Sequence, residues 1–192
     1  VRVVVITPPS DLPVSLDEAK RHLNVETDDD DALITLLIES AVSWIDGPAG
    51  WLGRALMAQT LELRLDGFPS CRDGEVNLPV LPVVSVNSVT YAADVDGSDT
   101  VLAGDKYRLA GEILAPAYNL SWPSYRAQRE AVRIRYVAGY ESADVVPAAI
   151  KAAILLMVGH LYANREAVIV GETVNVMPLG AEALLGPFRV YR

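Results

Sequence analysis

Few side chains in this sequence are suited to chemistry. Histidine is the commonest general acid–base, and the chain has two, His22 and His160. His22 follows Arg21 in a short helical stretch and reads as a solvated surface residue. His160 interrupts an apolar run and reads as a satisfied core or interface histidine. The single cysteine, Cys71, cannot complete a Cys/His zinc site with so few partners. It also excludes an intrachain disulfide framework and fits a reducing compartment. Glu26, Asp28, Asp29, Asp30 and Asp31 concentrate charge as a calcium loop does. They lack the spaced ligands, central glycine and closing glutamate of an EF-hand. That run reads as a helix N-cap with a solvated acidic first turn, which complements the helix dipole. No GxxxxGK[ST], GxGxxG or GxSxG occurs, and nothing marks a carboxylate pair for glycoside chemistry. No catalytic, cofactor-binding or metal-ligating residue is therefore expected. Trp44, Trp51, Tyr118, Trp122 and Tyr125 could line a ligand pocket. Core and interface anchors are the better reading, with Trp122-Pro123 pinning a loop or meeting a partner.

Composition narrows the classes further. The 192 residues carry 16 basic and 25 acidic side chains, a net charge of −9. Only Lys20, Lys106 and Lys151 are lysines, and Arg126, Arg129, Arg133 and Arg135 are the densest arginine group. A protein that grips nucleic acid needs clustered cations on its phosphates, so a sequence-reading DNA binder is not expected. A hydrophobic share of 51% against 21% charged residues specifies a folded chain. The longest apolar stretch, 148–163, contains Lys151 and His160 and falls short of the roughly 20 residues of a membrane span. The opening run 1–6 is too short for a secretory signal and meets Pro8-Pro9. The expectation is a soluble, intracellular protein.

The elements that must position these residues fall into three zones. Ser15-Leu16-Asp17-Glu18 is a capping box, so a helix is expected over about 15–24. A second follows at about 29–46, where Leu33, Ile34, Leu37, Ile38, Ala41, Val42 and Ile45 recur at helical spacing. From about 59 to 140 the pattern has the period of strands. Leu61, Leu63 and Leu65 alternate with Glu62, Arg64 and Asp66, and Val132, Ile134 and Tyr136 alternate with Arg133 and Arg135. The short spacing of these segments favours an antiparallel sheet. Pro147 opens a third helix over about 147–165, apolar on nearly every side and so in need of cover all round. The tail, 167–192, mixes Val168-Ile169-Val170 with Gly171, Pro178 and Gly180 and ends aromatic and basic. It reads as an extended arm that docks.

The order of these segments resembles the head–tail connector (adaptor) proteins of long-tailed bacteriophages and prophages. The likeness is carried by Leu16-Asp17-Glu18-Ala19-Lys20-Arg21-His22-Leu23, by Arg54-Ala55-Leu56 before Gln59-Thr60, and by Pro82-Val83-Val84-Ser85-Val86-Asn87-Ser88-Val89. Tyr136-Val137-Ala138-Gly139-Tyr140, Val146-Pro147-Ala148-Ala149-Ile150-Lys151 and the closing Leu184-Leu185-Gly186-Pro187-Phe188-Arg189 continue it. It spans nearly the whole chain from about residue 13 and departs in the loops around 70–74 and 94–99.

The resemblance implies a structural virion protein without a cofactor. It implies a homo-oligomeric ring, a dodecamer when assembled, which sits under the portal protein at the neck and extends the DNA channel. A stopper or tail-completion protein would bind below, DNA would be passing cargo only, and no membrane would be involved. Assembly would take place in the host bacterial cytoplasm. The expected fold is α+β: a helical bundle of two N-terminal helices plus a long C-terminal apolar helix, with an inserted small antiparallel β-sheet region and an extended C-terminal arm. Residues 1–166 would form a single connector domain and 167–192 the docking arm, with Leu184, Leu185, Phe188, Arg189, Tyr191 and Arg192 on the portal. The alternatives are another neck protein, a stopper or tail-completion factor, and a small ligand-binding module.

Overall fold

A computed structural model describes residues 1–69, 74–164 and 178–191. The chain divides into two compact units, one of Val1–Pro9 with Ala58–Gly139 and the other of Ser10–Met57 with Tyr140–Arg192.

The first unit is built of strands: β1 (Arg2–Thr7), β2 (Gln59–Leu65), β3 (Val76–Asn77), β4 (Val83–Ala92), β5 (Asp99–Leu102), β6 (Tyr107–Ala110), β7 (Ile113–Pro116) and β8 (Val132–Ala138). Five of them form an antiparallel sheet in the order β1-β2-β8-β4-β5, and β3-β7-β6 form a second. Register follows the alternation of the sequence. Leu61 and Leu63 lie opposite Tyr136 and Ile134, and Val89 lies opposite Ile134 from the other side. All five are buried, so they form one apolar face. Glu62 opposite Arg135, and Arg64 opposite Arg133, fall on the other. The opening Val3-Val4-Val5 run is β1, whose β-branched side chains suit a pleated strand.

The second unit is helical: α1 (Leu16–Leu23), α2 (Asp31–Ile45), α3 (Ala148–Ala163) and α4 (Leu179–Leu185). The capping box starts α1: Glu18 N–H donates to Ser15 Oγ at 3.2 Å and Ser15 N–H donates to Glu18 Oε2 at 2.8 Å. Asn24, at φ 56°, ends it in the left-handed region that asparagine tolerates. Ile34, Ile38, Ala41, Val42 and Ile45 of α2 pack into one core with Ile150, Ala153, Ile154, Met157 and Val158 of α3. Lys151 Nζ holds Glu18 Oε1 at 2.6 Å, tying α3 to α1.

The expected fold is corrected in three places. Strand content is not a small insertion in a helical bundle, because eight strands fill two antiparallel sheets and draw in residues 2–7. Among the described residues the bundle with a long C-terminal apolar helix is not seen. At 16 residues, about 24 Å, α3 is one residue longer than α2, and α4 follows it. It buries a single stripe within the chain, and Leu156 and Leu161 remain 38% and 37% exposed. The C-terminal portion that is described, 178–191, is not extended either. Pro178 and Gly180 look like breakers, yet Pro178 immediately precedes the first turn of α4, where its missing N–H costs no helical bond. Ala181 and Leu185, four residues apart on α4, are both wholly buried. The beginning of the expected arm, 167–177, lies outside the described residues, as do Cys71 and Arg192.

Ser15→Ala removes one half of the capping box and leaves the first-turn N–H of Glu18 without its acceptor. The expected cost is about 1 kcal/mol, a fall in Tm of about 2–4 °C, measurable by thermal circular dichroism.

Candidate functional site

The helical unit closes on itself through residues 46–57. Gly47 N–H donates to Arg54 O at 2.6 Å, Trp51 N–H to Trp44 O at 2.9 Å and Leu52 N–H to Ile45 O at 3.2 Å. The Asp46 carboxylate accepts from Leu56 N–H at 2.6 Å. Gly50 is obligatory in this turn, since a Cβ there would lie 2.2 Å from Asp46 O. Leu52, Leu56 and Met57 are thereby driven into the core.

The C-terminal segment lies along this loop. Val190 N–H donates to Leu52 O at 2.9 Å, and Arg54 Nε donates to Phe188 O. The Arg189 guanidinium sits 4.1 Å from the centre of the Trp51 ring and 5.1 Å from that of Tyr191, both within cation–π range. Of the residues expected to dock, Leu185 is wholly buried, and Leu184 and Phe188 pack against the same core. Tyr191 is 78% exposed. Leu184, Leu185, Phe188, Arg189 and Tyr191 therefore belong to one compact segment in which the tyrosine projects outward.

The polar face of the five-stranded sheet holds a second cluster, which became visible only once the strands were in register. Glu62 is 5% exposed. It accepts from Arg64 Nε at 2.8 Å and from Arg135 NH2 at 2.9 Å. Arg64 also meets Glu130 at 2.9 Å, Arg2 approaches Glu130 at 4.0 Å, and Arg133 pairs with Asp99. Burial pushes the Glu62 carboxyl up, but the hydrogen bonds from Arg135 and Arg64 outweigh it, and the group lies below its ordinary value. The alternating charges of 62, 64, 133 and 135 were legible in the sequence. Their pairing was not, because it requires two strands about 70 residues apart to meet.

The acidic run folds onto cations and a phenol. Lys20 Nζ lies 2.7 Å from both Asp28 and Asp31, and these hydrogen bonds push it up to about 12. Asp30 occupies the N-cap of α2 without a side-chain capping bond, and Tyr162 Oη donates to its carboxylate. Among the described residues no group of three His, Cys, Asp or Glu is arranged to hold a metal ion. His22 is exposed beside Gly159, and His160 shares a small recess with Trp44, Met157 and Pro178.

The aromatic side chains of the strand unit do cluster. Trp122 stacks on Phe68 at 4.5 Å and 7°, and Tyr125 meets Phe68 edge-on at 5.8 Å. The Trp122 indole N–H donates to Gly74 O at 2.5 Å, so this tryptophan pins its loop. Gly67 is needed beside it, because a Cβ there would fall 2.1 Å from Tyr125 Oη. An open groove of about 570 Å³ runs past these rings, with Tyr118 at its rim 87% exposed.

Residues 13–93 match the sequence profile of the phage gp6-like head–tail connector protein family. That family is a structural one, not an enzyme family, and over residues 13–93 the resemblance read from the residues is borne out. The fold recurs over the full length of three solved chains, each 22% identical, with all of this chain and 97% of the other covered. They come from the neck of an empty gene transfer agent (GTA) particle computed with C6 symmetry (TM-score 0.77), from the virion of the native GTA particle (0.77) and from the native neck computed with C12 symmetry (0.73). No curated protein sequence matches the chain.

Glu62→Gln leaves Arg64 and Arg135 facing a neutral amide on the five-stranded sheet. Because both arginines keep contact with water, the expected loss is about 1–3 kcal/mol, less than for a fully buried pair. A depressed carboxyl contributes stability that is present above its unfolded value of 4.5 and lost as pH falls through the lower folded value. Urea unfolding should therefore show the wild-type advantage at pH 7 shrinking as the pH is taken below 4.5.

Proposed function

We propose that the chain is a structural head–tail connector that forms a homo-oligomeric ring under the portal protein, extends the DNA channel and receives a stopper or tail-completion protein below. The observation that carries this reading is the match of residues 13–93 to the phage gp6-like head–tail connector family. Its full-length likeness in fold to chains of GTA necks supports it, as does the symmetry of those necks. The connector body is residues 1–166, and 167–192 is the portal-docking segment. Charge supports DNA as passing cargo. Residues 10–57 and 140–192 hold seven basic and fifteen acidic side chains, and the strand unit holds nine and ten. Neither offers the net positive surface that would hold phosphates during transit. In virions the chain resides at the neck, after assembly in the host bacterial cytoplasm.

Within the docking segment, Tyr191 is the side chain free to meet the portal, and Arg189 can leave Trp51 for a carboxylate. Leu184, Leu185 and Phe188 hold the segment to its base. The aromatic groove gives little support to a ligand-binding module, because it is open and its Trp122 N–H is already bonded to Gly74.

Mixing the chain with its purified portal ring and sedimenting the mixture tests this reading. Co-sedimentation is expected, with Tyr191→Ala and Arg189→Glu together weakening it about tenfold, or ~1.4 kcal/mol, while circular dichroism stays unchanged. Undiminished binding by that double variant moves the portal contact elsewhere on the chain. Absence of binding by the wild type moves the protein to a stopper or tail-completion position.

A further inference from the structure

Among the described residues the five-stranded sheet has two open edges. Among the described residues β1 pairs with β2 alone and β5 with β4 alone. Sheet edges that are not meant to pair are usually blunted by lysine, by proline or by an inward charge. No lysine or proline occurs within Arg2–Thr7 or Asp99–Leu102, and beyond Arg2 and Asp99 both edges are uncharged and mostly apolar. Val5 and Ile6 are 40% and 38% exposed, and Val101 is 66% exposed.

The direction and side-chain order of these edges are complementary. Every neighbouring pair in the sheet is antiparallel. With five strands, an odd number, β1 and β5 run the same way. A second copy placed beside the first by rotation about a ring axis therefore brings β1 against β5 as a parallel pair. Starting both strands together sets Arg2 of one copy beside Asp99 of the other, then Val4 beside Val101, and then Val5 beside Leu102. The register within the sheet shows that these partners share faces. Arg2 and Val4 lie on the face of Arg64 and Glu62, and Val101 lies opposite Thr90, which lies opposite Arg133. Charge meets opposite charge, and apolar meets apolar, on the same side of the sheet.

We propose that the ring is closed by β-strand addition, the β5 edge of each copy pairing in parallel with the β1 edge of the next. This rests on the ring reading above and supplies its subunit contact. A head-to-tail contact uses two different surfaces and can close into a cycle. Edge pairing adds main-chain hydrogen bonds that only a neighbour can provide. Asp99, already paired with Arg133, would then be shared by two arginines.

Cysteine pairing tests the register. Neighbouring strands lie about 4.8 Å apart, close enough for a disulfide between facing residues. In a Cys71→Ser background, a chain carrying both Val4→Cys and Val101→Cys should oxidise to a ladder of covalent oligomers, while either substitution alone stays monomeric on a non-reducing gel. Dimers from a single substitution would mean like-with-like pairing of edges and would overturn the proposal. A double variant that stays monomeric while the wild type assembles on the portal would also overturn it. A second variant, Val101→Lys, tests the same contact without a covalent bond. It changes an exposed side chain, so circular dichroism should be unchanged while assembly needs about tenfold more protein. Unchanged assembly of Val101→Lys removes the edge contact but leaves the connector role standing. A wild type that forms no ring, alone or on the portal, removes both.

Discussion

Strand β8 takes a partner along each side, and its alternation of Val132, Ile134, Tyr136 and Ala138 with Arg133 and Arg135 fixes which face of every neighbouring strand is apolar. A slip of one residue would carry the arginines into the core and Tyr136 to the surface. Glu62 reinforces this register from β2, since only the observed pairing sets its carboxylate between Arg64 and Arg135. An ion pair of this kind adds little stability against an apolar substitute, and its larger effect is to disfavour the wrong arrangement. The edge strands β1 and β5 inherit their facing from β8 through β2 and β4.

The helical unit depends on a different device. Its stability comes from the joint burial of the α2 and α3 stripes, but two irregular segments complete it. The turn at Gly50 returns the chain sharply enough to drive Leu52, Leu56 and Met57 inward, and the C-terminal segment then pairs its backbone with Leu52 and Arg54. Burying Ala181 and Leu185 explains why a short helix of seven residues persists there, since isolated helices of that length are marginal. A segment so held presents its last aromatic side chain in one place, which suits recognition of a partner better than a free tail would.

Charge separates the two units. The helical unit carries nearly all of the net negative charge, and the strand unit is close to balanced. On the sheet, the arginines are answered by Glu62, Glu130 and Asp99 and leave few cations uncommitted. On the helices, Lys20 is committed to Asp28 and Asp31, and Lys151 to Glu18. Such internal neutralisation leaves few loose cations to grip phosphates.

The sequence alone determined the local elements that rest on neighbouring residues. The Ser15 capping box, the apolar stripe of α2, the alternation of β2 and β8 and the proline-opened α3 were all legible, because helix and strand periods and caps are properties of a few consecutive residues. The order of its motifs also pointed to the connector family. Tertiary structure alone decided how these elements combine. Residues 2–7 became a strand because β2 offers them a partner, and that pairing spans more than 50 positions. Helix α4 formed across two apparent breakers because Ala181 and Leu185 found a core to enter. The Glu62 cluster, the Trp51–Arg189 contact and the Trp122 anchor each join residues from distant stretches. A single sequence encodes such contacts only through the burial and charge pairing of the whole fold, so no local pattern marks them.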